Sequence, residues 1–341
     1  MSISKKPFGT FNGEQIFSYT LDNKRGLSAE ILNYGGIIRR LIYKNTDIVL
    51  GYDTLSNYVI GDEYFGAIIG RNAHSIENAR FTLNGICHNL SANSGRHNHH
   101  GGKCGFDKKV WNVKTTNSTE PQIVLSYTSP DGEEGFPGKV EAQVTYTLTS
   151  DNALKIHYEG LSDADTVLNM TNHSYFNLNG HASGKIDGHS LWLASDFFTP
   201  INEACIPDGE ILSVKETPFD FSVAKTFDEG FSSHHPQIKL FDGFDHNFAL
   251  KGDISAASAV LKGEKTGIVM ELYTDQKGVQ IYTANDLKLT NLGKNGVTYE
   301  KHGAVCMETQ AFPNCMKFSH FPSSILKKYE KYSTTTYYKF I

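Results

Sequence analysis

The chain is poor in cysteine and shows no pairing pattern: five among 341 residues, at 87, 104, 205, 306 and 315, with no Cys-x-x-Cys. An odd, scattered set argues against a disulfide framework and for free thiols in a reducing compartment. No apolar run approaches the roughly 18 residues of a membrane span. The longest near-candidate, residues 64–70, has only strand length. The first seven residues, Met1-Ser2-Ile3-Ser4-Lys5-Lys6-Pro7, lack the apolar core of a secretory signal. A cytoplasmic protein with no membrane partner is the expectation. Neither sign of charge dominates: 32 Lys and Arg stand against 37 Asp and Glu, net −5. The basic stripe of a nucleic-acid groove is therefore missing. There is no Gly-x-Gly-x-x-Gly opening a helix and no Gly-Lys-Ser/Thr loop, so no nucleotide cofactor is expected. A Gly-x-Ser-x-Gly nucleophile elbow is absent too.

What is present is material for a large core. Apolar residues make up 39%, with 21 Phe, 17 Tyr and 2 Trp, which excludes disorder for most of the chain. Turn signals recur, Asn12-Gly13, Asn84-Gly85, Asp131-Gly132, Asn179-Gly180, Asp242-Gly243 and Asn295-Gly296 among them. Between them lie short runs rich in β-branched and aromatic residues. The clearest is Val140–Leu148, where alternation puts Val140, Ala142, Val144, Tyr146 and Leu148 on one face. After Ser150-Asp151-Asn152, the residues Leu154, Ile156 and Tyr158 resume the pattern, which predicts a hairpin with one buried face. Residues 123–127, 267–273 and 279–284 read as further strands. No 3.6-residue period is sustained, and the best helical candidate is a turn or two around 55–58. Strands and turns without intervening helices predict a sandwich or barrel. Length alone suggests about two domains, but no linker divides the chain, so residues 1–341 read as one all-β domain.

Five clusters could carry chemistry. His97, His99 and His100 stand in Gly95-Arg96-His97-Asn98-His99-His100-Gly101-Gly102. A metal site there would want a Glu a few residues on, and none follows. The paired glycines favour a substrate-facing loop, because they let backbone approach a ligand closely. In 169–178, alternation puts Asn169, Thr171, His173 and Tyr175 on one face, a polar face costly to bury unpaired, and taken alone His173 there reads more often as a hydrogen-bonded structural histidine than as a catalytic one. Glu308 sits mid-strand in Val305-Cys306-Met307-Glu308-Thr309-Gln310, either buried with a raised pKa as a general base or facing water from an edge strand. Asp245-His246 reads as a turn or a dyad, and Gln280 and Tyr282 share a face.

Together these stretches resemble the aldose 1-epimerase (galactose mutarotase) family over nearly the whole chain. The resemblance rests on Gly70-Arg71, residues 81–90, His100-Gly101-Gly102, Gly105-Phe106-Asp107-Lys108-Lys109-Val110-Trp111 and Phe136-Pro137-Gly138. It continues through residues 171–178, 244–248 and 278–285, Glu308-Thr309-Gln310 and residues 335–340. It implies a large antiparallel β-sandwich with few short helices and a sugar cleft on one sheet. Glu308 falls at the family's general base and His173 at its general acid, while His100 falls at a second imidazole near the ring oxygen. Ser174, Tyr175, Asp245 and Gln280 match substrate-binding positions. The implied activity is interconversion of α and β anomers of hexoses such as galactose and glucose. Opening a hemiacetal takes one proton from the C1 hydroxyl and gives one to the ring oxygen. A carboxylate (ordinary pKa about 4.3) and an imidazolium (about 6.5) suit those tasks. No metal or other cofactor is called for, and the partner is a small aldose bound by a monomer or weak homodimer.

One departure stands out. The family has Gly-Arg-x-Ala-Asn-Arg-Ile, and this chain reads Gly70-Arg71-Asn72-Ala73-His74-Ser75-Ile76. A serine hydroxyl cannot replace a guanidinium fork. Losing one charged hydrogen bond to substrate costs about 1.5–3 kcal/mol. Arg96 either reaches into the same space or faces solvent. The departure keeps open a weakly active sugar-binding sandwich, or an enzyme for a shifted substrate such as a sugar phosphate, which would need Lys or Arg at the cleft mouth.

Overall fold

The period-2 patterning builds the sheets where it was read. In the computed structural model, which describes residues 2–117, 120–287 and 291–341, Val140–Leu148 pairs antiparallel with Ala153–Ser162. The apolar set Val140, Ala142, Val144, Tyr146 and Leu148 is buried as expected. This hairpin lies within a nine-stranded antiparallel sheet. Its strand order is Asn112–Thr116, Gln122–Ser129, Val140–Leu148, Ala153–Ser162, Lys331–Phe340, Val269–Thr274, Ala259–Lys262, Ser190–Leu193 and Lys225–Thr226.

A six-stranded antiparallel sheet packs against it. The order there is Tyr175–Phe176, Val305–Gln310, Gly278–Tyr282, Asp245–Ala249, Phe197–Thr199 and Leu212–Ser213. Val279, Ile281, Val305, Met307 and Phe248 from this sheet share one apolar cluster with Ile156, Tyr158, Met270 and Tyr338 from the larger one. Polar contacts fix the two layers in register. Tyr338 donates to the Met307 carbonyl at 2.8 Å, and the hydroxyls of Thr309 and Thr336 meet at 2.5 Å. An N-terminal five-stranded sheet spanning Ser2–Phe11 to Thr46–Asp47 adds Leu21, Ala29, Ile31 and Leu41 to the same cluster.

Helices are short, as expected. Leu55–Ile60 forms where the turn or two was read, with Thr54 accepting the Asn57 amide at its start. Phe227–Phe231 and Pro236–Phe241 are two more. None of the described helices is long and apolar enough to cross a membrane. The apolar run at 64–70 differs from its reading, because only Ile68–Ile69 forms a strand. Gly66 interrupts it at φ +68°, where an added Cβ would stand 2.3 Å from the Ile38 carbonyl oxygen.

Candidate active site

Side-chain alternation in the smaller sheet sorts its residues by face. Val305 and Met307 point into the main core, so Cys306, Glu308 and Gln310 point away from it. By the same rule Gln280 and Tyr282 leave the core that holds Val279 and Ile281, and Asp245 leaves the core that holds Phe248. The register then aligns the polar residues: Glu308 opposes Gln280, and Tyr282 opposes Asp245. One face of the sheet is mostly hydrocarbon, and the other presents carboxyl and amide groups in a row.

Loops complete the cleft over that face. Residues 171–176 are not one strand: Thr171–Asn172 pairs with Ile68–Ile69, and Tyr175–Phe176 pairs with Val305–Gln310. His173 bridges the change of partner, its amide donating to the Ala67 carbonyl while its own carbonyl accepts from Gly66. That anchoring turns its ring over Glu308. The loop around His100 is tied just as closely, since the His74 amide donates to His100 Nδ1 at 3.1 Å. Gly101 has φ +88°, and an added Cβ would lie 2.0 Å from the Gly70 carbonyl oxygen. The paired glycines thus let the loop approach the chain itself; Gly102 packs on Glu134 in the same way.

The central pair is His173 and Glu308. His173 Nε2 lies 3.6 Å from Glu308 Oε1, and both residues are almost fully buried. His100, His173 and Glu308 each bring one ligand-capable atom within 4.8 Å of the others. The other ring nitrogen of His173, Nδ1, stands 3.5 Å from Cys306 Sγ. Burial holds that thiol protonated. Glu308 Oε2 has no hydrogen-bond partner in the described structure. Asp245 Oδ1 accepts from Gln280 Nε2 at 2.7 Å, and Cys205 donates to Asp245 Oδ2 at 3.0 Å. Tyr64 and Tyr175 flank the His173 ring, with centroids at 5.8 and 5.0 Å.

Desolvation governs the electrostatics. It pushes Glu308 well above the usual carboxylate range, with the nearby Asp245 adding to the rise. It raises Asp245 to about 6. It lowers His173 to about 3, with a further contribution from His99, and drives His74 and His100 well below the usual imidazole range. The raised Glu308 agrees with the sequence reading. The expected imidazolium at His173 does not: in a dry site both partners are driven toward their neutral forms, so the ring rests uncharged.

The likenesses to known proteins point one way. Residues 18–339 match the family model described as aldose 1-epimerase. The chain belongs to the aldose 1-epimerase family. It is 41% identical to the galactose mutarotase of Bos taurus over 320 residues, covering 92% of this chain and 91% of that protein. It is 32% identical to the aldose 1-epimerase of Escherichia coli strain K12, covering 99% of each. A solved galactose 1-epimerase from Lactobacillus acidophilus superposes with a TM-score of 0.91 at 25% identity, covering 100% of this chain and 98% of that one.

Within that family frame, the structure brings His100, His173, Tyr175, Asp245 and Glu308 to one cleft. Gln280 reaches it through Asp245. Ser174 departs from its expected substrate-binding place. It is buried, and its hydroxyl donates to Asn172 Oδ1 at 2.6 Å, because next to His173 it points to the opposite side. Glu308 is not an edge-strand charge facing water, since its strand lies between two others and the residue is almost fully buried. His246 forms no dyad with Asp245; it is fully buried against Phe219 and bonds Gln237. Ser75 is buried and bonds His99 Nδ1 at 3.2 Å, and Arg96 is exposed, so neither places a guanidinium in the cleft. Arg71 is held elsewhere by Ser129, Pro130 and Pro137.

Sequence reasoning gave no site role to Tyr64 or His74, nor to the exposed rim residues Asp62 and Asp286, all of which line the cleft, as does His99 from the segment read as a substrate-facing loop. Tyr64 was hidden inside an apolar run. Its φ of +59°, rare for an aromatic residue, has no sequence signal.

Proposed function

We propose that this chain interconverts the α and β anomers of a free aldohexose, with Glu308 and His173 as the proton-transfer pair. The observation that carries the reading is the 3.6 Å approach of His173 Nε2 to Glu308 Oε1 at the floor of a polar cleft. Galactose stands in the names of two of the relatives, and the family's reaction needs an acid and a base with no redox step.

Ring opening needs two proton moves. Glu308 takes the proton of the C1 hydroxyl while His173 gives one to the ring oxygen. The neutral resting pair first passes one proton from Glu308 to His173; as carboxylate and imidazolium it then takes one proton and gives one, returning to the neutral pair, so its proton count is unchanged. Rotation about C1–C2 turns the other face of the aldehyde toward the C5 hydroxyl, and the same moves run backwards. Burial and Coulomb attraction act in opposite directions on this pair. Attraction at 3.6 Å favours the ionised arrangement, and desolvation favours the neutral one that accompanies the open-chain sugar. Their opposition brings the two arrangements closer in energy, which is what a reversible proton relay needs. A positioned acid or base contributes about 10²–10⁴-fold each. Asp245, steadied by Gln280, accepts sugar hydroxyls, and His100 and Tyr175 shape the pocket around the ring.

All cleft groups come from one chain, so a monomer suffices. A core cluster running from Tyr19 to Phe340 supports one domain across 1–341. Five free thiols fit the cytoplasm. Polarimetry of freshly dissolved α-D-galactose and α-D-glucose tests the activity. Optical rotation should relax far faster with catalytic amounts of protein than in buffer, and an unchanged rate with both sugars overturns the reading.

A further inference from the structure

Beside the proton-transfer pair, a second trio converges from segments far apart in the chain. A ring nitrogen of His74, the Cys205 sulfur and a carboxylate oxygen of Asp245 all lie within 4.8 Å of one another. His74 and Asp245 line the cleft. His74 is buried and Cys205 partly so. Both take left-handed backbone, at φ +59° and +58°, a conformation that non-glycine residues keep only where their surroundings impose it.

We propose that His74, Cys205 and Asp245 form a binding site for a zinc-like divalent cation, and that its occupancy closes the cleft to sugar. An imidazole, a thiolate and a carboxylate are ligands that zinc accepts, and three protein ligands leave one tetrahedral position open. The partners of these groups suit the role. Gln280 already holds the other oxygen of Asp245, the kind of support that ligating carboxylates carry. The binding step is an exchange without redox change. The Cys205 S–H···Oδ2 bond breaks, the thiol proton leaves to water, and sulfur–metal and oxygen–metal bonds form. His74 gives up the hydrogen bond that its Nδ1 accepts from the Ser75 amide at 2.9 Å. Asp245, tied to the ion, is then withdrawn from the sugar.

The test uses two readouts on the full chain, first freed of metal. In the first, wild type and Cys205→Ser are titrated with Cd2+, whose thiolate complexes absorb in the ultraviolet by charge transfer. Wild type should develop a saturable band that the variant lacks. In the second, Zn2+ should slow wild-type mutarotation by roughly tenfold or more, with full recovery on adding EDTA. Cys205→Ser keeps a hydroxyl to bond Asp245, so it should retain the metal-free rate and resist Zn2+. Equal bands in the two proteins overturn the proposal. So does equal inhibition, which would place the ion on His100, His173 and Glu308 instead. The absorption readout needs no turnover, so it decides the metal site even if the chain proves inactive on every sugar.

Discussion

Gln280 donates its amide N–H to Asp245 Oδ1 at 2.7 Å, on strands where Gln280 also opposes Glu308. The hydrogen bond favours the carboxylate, yet burial outweighs it and raises Asp245 to about 6. The form that accepts sugar hydroxyls is therefore present above that pH and lost below it. The expected profile has KM rising as pH falls through about 6, and no kcat limb belonging to His173 in the ordinary imidazole range, because burial lowers that ring to about 3. Asp245→Asn should raise KM by roughly tenfold or more and flatten the profile. NMR exchange rates across the pH range check both. A kcat limb at the imidazole pKa that survives in Asp245→Asn would contradict this assignment.

The charge of the cleft bears on substrate choice. Asp62, Asp245 and Asp286 line it beside Glu308, which burial drives toward its neutral form, and among the described residues no Lys or Arg does. Aldose 6-phosphates should react at least about tenfold more slowly in kcat/KM than the free sugars, since like charges across an interface cost several kcal/mol. Raising the salt concentration should narrow the gap. Equal kcat/KM values at low salt would show that the rim charges do not filter substrate.

His246 tests the acid side of stability. It is fully buried, and desolvation lowers it to about 3. The folded chain keeps it neutral while the unfolded chain protonates it below about 6.5, so its contribution is complete above that pH and declines on acidification. Between about pH 7.5 and about pH 5 the loss comes to about 2 kcal/mol. His246→Gln should be less stable at neutral pH and lose about 2 kcal/mol less than wild type over that span. Denaturant melts at the two pH values measure it, and identical losses would exclude the assignment.

The tie between the layers gives a stability contrast. Tyr338→Phe removes the donor to the Met307 carbonyl, the residue before Glu308. A buried carbonyl left without its partner costs about 1–3 kcal/mol. The midpoint of unfolding should fall accordingly, with kcat changing far less than in Glu308→Gln. An unshifted midpoint would mean that the hydrogen bond is replaced.

Much of the fold was legible because strand alternation is a local property. Val140–Leu148 and its partner strand could be read from their own residues. Glu308 was legible as a chemical oddity, a carboxyl inside an apolar run, and it is buried, which drives its pKa upward. Orientation set by long-range pairing was not legible. His173 and Ser174 are neighbours in sequence, but the change of strand partner at 173 turns one ring to Glu308 and the next hydroxyl to Asn172. His74, Cys205 and Asp245 meet only in the folded chain. The uncharged state of His173 was also invisible, because it depends on how completely water is excluded.

The central claim is that one imidazole and one carboxyl act on the same hemiacetal. A double-mutant cycle of His173→Asn and Glu308→Gln, read as enzyme-catalysed anomer exchange of α-D-galactose by NMR, tests it most directly. If the two groups serve one proton relay, each single change should cost about 10²–10⁴-fold in kcat, and the double change should cost little more than the worse single one. Losses that multiply independently, or substantial exchange surviving either single change, would contradict the account.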